Sequence, residues 1–359
     1  MSKRHRGKER QMGTTAETIA ALKKTLGDSL CVVGHHYQQE SVITHCDITG
    51  DSLELARKVA DITAPHIVFC GVYFMAESAA LLARPGQQIY LPETAANCVM
   101  SQMTPATRVN EVLERLNAAG RNVVPLAYVN TSLAVKAVVG RFGGAVCTSA
   151  NARTMLRWAL EQGDSVLFLP DKNLGRNTAR ELGLDASQWR ILDIRRKSDA
   201  ADAPEDIRER LLLWPGCCAI HAKFTPEQIR AMREAHPDCL VAVHPECSPE
   251  VVQAADAAGS TAFLIKYAAQ APQDSTVVIG TETNLAERLR ARHAGHHTVA
   301  RLHRAYCSHM AKVTEDKLLT TLQHIRAGIA QPVSIPSAHR APARASLERM
   351  LEACRKAGV

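Results

Sequence analysis

The chain has 359 residues, 46% hydrophobic and 22% charged, the balance of an ordinary globular protein of roughly two or three domains. Its net charge of +7 is concentrated at the start: residues 1–10 carry five Lys/Arg against one Glu, so a nucleic-acid module would rest on a short basic tail, and none is expected. No apolar run reaches about 18 residues and MSKRHRGKER is followed by no apolar stretch, which excludes a membrane span and a secretory signal and leaves a cytoplasmic protein as the expectation.

In chain order, residues 1–16 read as a disordered basic tail. Short apolar runs then recur, each stopping abruptly at polar or small residues. LCVVG stops at HHYQQ, HIVFCG at VYFMAES and QIYLP at ETAANC, within a first unit at 17–104. VVPLAY stops at VNTS, AVC at TSANA, VLFLP at DKNLG and LLLWPG at CCAIH, closing a second unit at 105–215 that holds a polar insert, RRKSDAADAPEDIRER (195–210). CLVAV stops at HPEC and TVVIG at TETNL in a third unit at 216–306. Runs of this length read as strands buried on both faces, and helical patterns such as DSLELARKVAD and SANARTMLRWALEQ lie between them. The alternation predicts an α/β fold with parallel sheets, whose ligands gather beyond the carboxyl ends of the strands. Residues 307–359 read as helical, with Leu347, Met350, Leu351 and Cys354 on one stripe and QPVSIPSAHRAPARA as a loose connector.

The three units also repeat one another. The tips His35-His36-Tyr37, Tyr128-Val129-Asn130 and His244-Pro245-Glu246 are followed by small-residue helix starts at Ser52, Ser149 and Ser260, then by strands closing at Gly71, Pro170 and Gly280. A cysteine comes next each time: Cys98, Cys218 and Cys307. Asp51 and Glu54 have the spacing of a capping box, which sets Ser52 in a first helical turn. The 11 cysteines include no CxxC, so zinc-ribbon patterns and a disulfide framework are not expected, and most of them read as small buried side chains. No GxGxxG follows a strand, which argues against a dinucleotide-binding dehydrogenase.

At these residues the chain resembles the quinolinate synthase family of bacterial NAD biosynthesis. The resemblance runs from about residue 17 to about residue 325 and is carried by GHHYQ, GDSLELA, FCGVYFMAES, PETAANCVM, AYVNTSLAVKA, CTSANA, PDKNLGRNTA, WPGCCAIH, VHPEC, GSTAFLIKYA, GTETNL and CSHMAKVTEDKLL in that order. It implies three Rossmann-like αβα sandwich domains in a pseudo-three-fold arrangement around a central iron–sulfur cluster. It implies a [4Fe–4S] cluster held by Cys98, Cys218 and Cys307, with Cys217 a bystander. Three thiolates in place of the usual four leave one iron open as a Lewis acid. The implied reaction condenses iminoaspartate with dihydroxyacetone phosphate to quinolinate, with loss of phosphate and water, and makes an L-aspartate oxidase a candidate supplier of the first substrate.

Such a reaction needs anion sites and proton carriers. The resemblance assigns substrate binding to Ser52, Tyr128, Asn130, Ser149, Ser260 and Thr261; helix starts favour phosphate and carboxylate, although a serine there also serves as a plain cap. His35, Tyr37, His244 and Glu246 are the candidates for proton transfer, with His35, His244 and Glu246 also contacting substrate. Gly71 is expected to admit close approach of backbone to ligand, and His36 has no matching role. Ser308 stands where the family commonly has Pro, and Met310-Ala311-Lys312 interrupts its Met-Lys step, which leaves Lys312 without a role. The rival reading is a zinc-dependent lyase or hydrolase using His35, His244, Glu246 and a cysteine.

Overall fold

The computed structural model describes residues 14–194 and 207–358; residues 1–13 of the basic tail and 195–206 of the polar insert lie outside the described residues. The first helix opens inside the stretch read as tail. Thr14 caps α1 (Thr15–Leu26) and forms a capping box with Glu17, so residues 14–16 belong to the folded protein.

The first sheet follows as β1 (Leu30–His35), α2 (Glu40–Ile43), β2 (Ile48–Gly50), α3 (Ser52–Asp61), β3 (His66–Cys70), α4 (Tyr73–Leu82), β4 (Gln88–Tyr90) and α5 (Val99–Gln102). The second follows as α6 (Ala106–Ala118), β5 (Val123–Tyr128), α7 (Leu133–Arg141), β6 (Ala145–Cys147), α8 (Ala152–Gln162), β7 (Ser165–Leu169), α9 (Lys172–Glu181), β8 (Trp189–Ile191) and β9 (Leu211–Leu213). The third follows as α10 (Pro226–Ala235), β10 (Leu240–Val243), α11 (Pro249–Ala254), β11 (Ala257–Ala258), α12 (Thr261–Ala269), β12 (Thr276–Gly280), α13 (Thr283–His293) and β13 (Thr298–Arg301). The chain ends in α14 (Glu315–Ala327) and α15 (Ser337–Ala357).

All strand pairs are parallel, and one strand order occurs three times: β2-β1-β3-β4, β6-β5-β7-β9 and β11-β10-β12-β13, with β8 added outside β9. Most of the apolar runs fall on inner strands; QIYLP and AVC form the edge strands β4 and β6. β1, β5 and β7 are buried along their whole length, as expected for strands covered on both faces. β10 and β12 show how the third core is divided: Val241, Val243 and Val278 join one cluster, while Ala242, Val277 and Ile279 join another on the opposite face. A larger cluster unites the first two sheets with the C-terminal helices.

The C-terminal segment is more ordered than its composition implied. QPVSIPSAHRAPARA is not a loose connector: Val333 donates its N–H to Ile89 O at 2.7 Å, and α15 starts at Ser337 and contains Pro342. α15 packs on α7 at Gly140, where a Cβ would meet the Pro342 carbonyl oxygen at 1.8 Å, so backbone approaches backbone there. Cys354 is fully buried and accepts from Asn151 Nδ2 at 3.1 Å, a packing residue as expected. Among the described residues no helix is long and apolar enough to cross a membrane.

Candidate active site

The repeated topology sends equivalent chain segments to one place. His35, Tyr128 and His244 follow or end the first strand of their sheets; Cys98, Cys218 and Cys307 follow the last. These six residues line one cavity with about 110 Å³ of free volume. Tyr37, Asn130 and Glu246, the third residues of the three tips, line it too. So do Ser52, Ser149 and Thr261. The exception is Ser260, whose hydroxyl is spent on capping α12 through Phe263 N–H at 3.3 Å.

The predicted helix starts differ in detail. Ser52 is the first residue of α3, whose capping box is formed as expected: Asp51 N–H donates to Glu54 Oε2 and Glu54 N–H to Asp51 Oδ1, both at 3.0 Å. Ser149 does not start a helix. It lies in the turn ahead of α8, because Asn151 takes the cap position and accepts the Thr148 N–H at 2.7 Å. Gly71 is not a lining residue; a Cβ there would come within 2.8 Å of the Phe69 ring, so local packing explains the glycine. The His36 ring also stays outside the cavity, its Nε2 3.7 Å from Glu54 Oε2. Lys312 is directed away from the cavity, donating to Ala95 O at 3.0 Å in the loop before Cys98.

Two of the tips set their histidines alike. His35 Nδ1 accepts the Tyr37 N–H at 3.1 Å, and His244 Nδ1 accepts the Glu246 N–H at 3.3 Å. An accepting Nδ1 fixes the tautomer with hydrogen on Nε2. Burial pulls both imidazoles down to about 3, so near neutral pH each is an uncharged Nε2–H donor.

A chain of polar contacts runs across the cavity wall. Tyr37 Oη lies 2.7 Å from Thr281 Oγ1, and Thr281 Oγ1 lies 3.0 Å from His221 Nε2. His221 Nδ1 is 2.5 Å from Glu246 Oε2, and the His221 ring stacks on His244 with centroids 4.4 Å apart. Thr261 Oγ1 adds a bond of 3.2 Å to Tyr37 Oη. Burial would raise the Glu246 carboxyl, but the facing His221 imidazole outweighs it and holds the group as a carboxylate. Glu246 Oε1, Asn130 Oδ1 and Thr148 Oγ1 are buried without a hydrogen-bond partner, as acceptors reserved for a ligand would be.

Cys218 and Cys307 are anchored by matching carboxyl groups, which burial raises to about 8 in Asp171 and about 7 in Glu282. The Cys218 N–H donates to Asp171 Oδ2 at 3.0 Å and the Cys307 N–H to Glu282 Oε1 at 3.2 Å. Asp171 and Glu282 both stand two residues beyond the third strand of their sheets. Cys217 does not line the cavity. Burial pushes all three lining thiols up, Cys98 to about 12, so each is protonated unless a cation is brought among them. Among the described residues one grouping offers three metal-ligating atoms within 4.8 Å of one another, Cys218, His221 and Glu246. The zinc ligands expected from sequence, His35 and His244, are not part of it.

His221, Thr281, Asp171 and Glu282 were not singled out by sequence. His221 stood in view as the histidine three residues after Cys218, and Thr281 and Glu282 open the GTETNL stretch. Each is a common residue at a strand end, and only the packing of sheet against sheet reveals what it touches.

Three parallel sheets of one strand order, converging on half-buried thiols, buried imidazoles and a carboxylate, define a multi-sheet α/β enzyme with a metal-competent centre. The quinolinate synthetase A protein family model matches residues 17–352, and this chain belongs to that family. It is 42% identical over 341 residues to the quinolinate synthase of Corynebacterium glutamicum, covering 93% of this chain and 86% of that one. The quinolinate synthase of Herpetosiphon aurantiacus is 41% identical, covering 94% of this chain and 92% of the relative, and that of Bacillus velezensis is 39% identical, covering 96% and 94%.

Proposed function

We propose that this enzyme is a quinolinate synthase of NAD biosynthesis that condenses iminoaspartate with dihydroxyacetone phosphate, releasing phosphate and water. Identities of 39–42% across nearly the whole chain support the activity. The observation that carries the site is the convergence of three thiols, one after the last strand of each sheet, on one cavity. Cys98, Cys218 and Cys307 would hold a [4Fe–4S] cluster, and three half-buried thiols lining one cavity fit that group. When bound, a cluster with three protein ligands supplies an open iron as a Lewis acid. The thrice-repeated strand order supports three αβα sandwich domains, 17–104, 105–215 and 216–306, in pseudo-three-fold arrangement.

The remaining work falls to the protein's own groups. Ser52, Ser149 and Thr261 take the phosphate and carboxylates, joined by the free acceptor of Asn130 and by Tyr128. His35 and His244 donate Nε2–H bonds to substrate oxygens without bringing charge. Glu246 removes a proton next to a carbonyl or imine. Tyr37 delivers one to a departing hydroxyl, and the path from Glu246 through His221 and Thr281 can return the proton to Tyr37. A relay of this kind suits dehydration, where the proton lost at carbon is regained by the leaving group. Iminoaspartate would come from an L-aspartate oxidase. A reducing cytoplasm suits a chain whose 11 cysteines are all free.

The close grouping of Cys218, His221 and Glu246 favours a second reading, a zinc-dependent lyase or hydrolase. It would use His221 through Nδ1, beside Glu246, while Nε2 keeps its contact with Thr281 Oγ1. Anaerobic purification separates the two. Brown protein with about four irons per chain, forming quinolinate from the two substrates, is expected; colourless protein with stoichiometric zinc and no quinolinate would overturn the proposal.

A further inference from the structure

The loops that carry Tyr37, Asn130 and Glu246 are gripped in one pattern. Arg288 Nη1 donates to His36 O and Nη2 to Gln38 O, both at 2.8 Å, on either side of Tyr37. Asn177 Nδ2 donates to Pro245 O at 2.8 Å and Cys247 O at 2.9 Å, on either side of Glu246. Lys136 Nζ donates to Val129 O at 2.8 Å and Thr131 O at 2.5 Å, on either side of Asn130. Each donor takes the carbonyls of the second and fourth tip residues and leaves the third residue's side chain to the cavity.

The pattern has a register. Asn177 and Arg288 both stand eight residues beyond the end of the third strand of their sheets, β7 and β12. Asn173 and Asn284 stand four beyond, and they add bonds to Glu246 O at 3.3 Å and Tyr37 O at 3.2 Å. The second sheet thus holds the tip of the third, and the third holds the tip of the first. In the first sheet the matching positions are Phe74 and Ser78. Neither supplies a bond to the second sheet's tip, and Lys136 acts instead, its ammonium 5.2 Å from the centre of the Phe74 ring. Lys136 is wholly buried. An ammonium is costly to bury unless its donors are used, and here two of them go to the loop carbonyls.

We infer that Arg288, Asn177 and Lys136 are positioning residues, each fixing the peptide planes that flank one substrate-facing side chain. The inference rests on the proposed roles of Tyr37 and Glu246. A misplacement of about 1 Å can cost on the order of 100-fold in rate.

The test is a double-mutant cycle on anaerobically purified holoenzyme with Tyr37→Phe, Arg288→Met and both together, with kcat, KM, iron content and melting temperature measured for each. Arg288→Met is expected to lower kcat by about 10- to 100-fold at near-normal iron content and melting temperature. Arg288→Lys, which keeps the charge beside Glu40 but offers one nitrogen where the guanidinium places a separate nitrogen on each carbonyl, should recover part of the rate. The double variant should be no slower than Tyr37→Phe alone, because both lesions act through one hydroxyl. If Arg288→Met fails to fold, Asn284→Ala takes its place in the cycle. A normal kcat in Arg288→Met beside a crippled Tyr37→Phe, or losses that multiply in the double variant, overturns the inference and leaves the proposed function standing. A full rate in Tyr37→Phe instead removes Tyr37 from the reaction, and the clasp on it loses its purpose.

Discussion

His35 and His244 occupy the same place in two tips, and each gives its Nδ1 to the backbone N–H two residues on. That local turn was written in the sequence as His-x-Tyr and His-x-Glu; the neutral state of the rings was not, because it follows from burial by other sheets. Glu246 is a carboxylate held against that burial by His221, which comes from another loop and was not visible as a neighbour in sequence. Glu246→Gln keeps the shape and the stacked imidazoles but removes the base. It should retain full iron content while kcat falls by at least about 100-fold, measured as quinolinate formed by anaerobic enzyme; a rate within a few-fold of the parent would take Glu246 out of the mechanism. His221→Ala breaks the path between Glu246 and Thr281, and a loss of kcat larger than any change in KM is expected from steady-state kinetics.

At the scale of elements, the apolar runs announced the inner strands because both faces of those strands are covered. Of the edge strands, β4 and β6 were announced by QIYLP and AVC, and β2, β8, β11 and β13 were not. These last four are two to four residues long and partly exposed, so they carry no apolar run, and their pairing comes from the sheet edge that receives them. The proline-rich 331–345 segment misled for a related reason: Pro and Ser mark loops on average, yet Val333 and α15 are held by contacts with β4 and α7 that composition cannot show. The tight crossing of α15 over α7 makes a direct prediction. Gly140→Ala puts a methyl into the Pro342 carbonyl and should cost on the order of 3 kcal/mol, seen as a lower melting temperature at unchanged iron content. An unchanged melting temperature would mean that α15 does not pack there.

For the whole molecule, the threefold repetition of tip, serine and cysteine was legible in the chain, and the three sheets share one strand order, with β8 added in the second and Ser149 lying ahead of its helix. The contacts between sheets were not legible: the Asp171 and Glu282 anchors, the Tyr37–Thr281–His221 path and the clasps on the tips all join residues far apart in sequence. The repetition is also incomplete. Val72 stands in the first sheet where Asp171 and Glu282 stand in the others, so Cys98 lacks the carboxyl anchor that its counterparts share. Cys98 instead precedes α5, with its carbonyl held by Ser101 Oγ at 2.6 Å.

All of this centres on three thiols acting together. Iron and acid-labile sulfide, assayed in anaerobically purified protein and in Cys98→Ala, Cys218→Ala, Cys307→Ala and Cys217→Ala, address that most directly. The parent and Cys217→Ala should carry about four of each per chain, and the other three should carry almost none. Full loading after loss of Cys98, Cys218 or Cys307, or its disappearance in Cys217→Ala alone, would contradict the assignment.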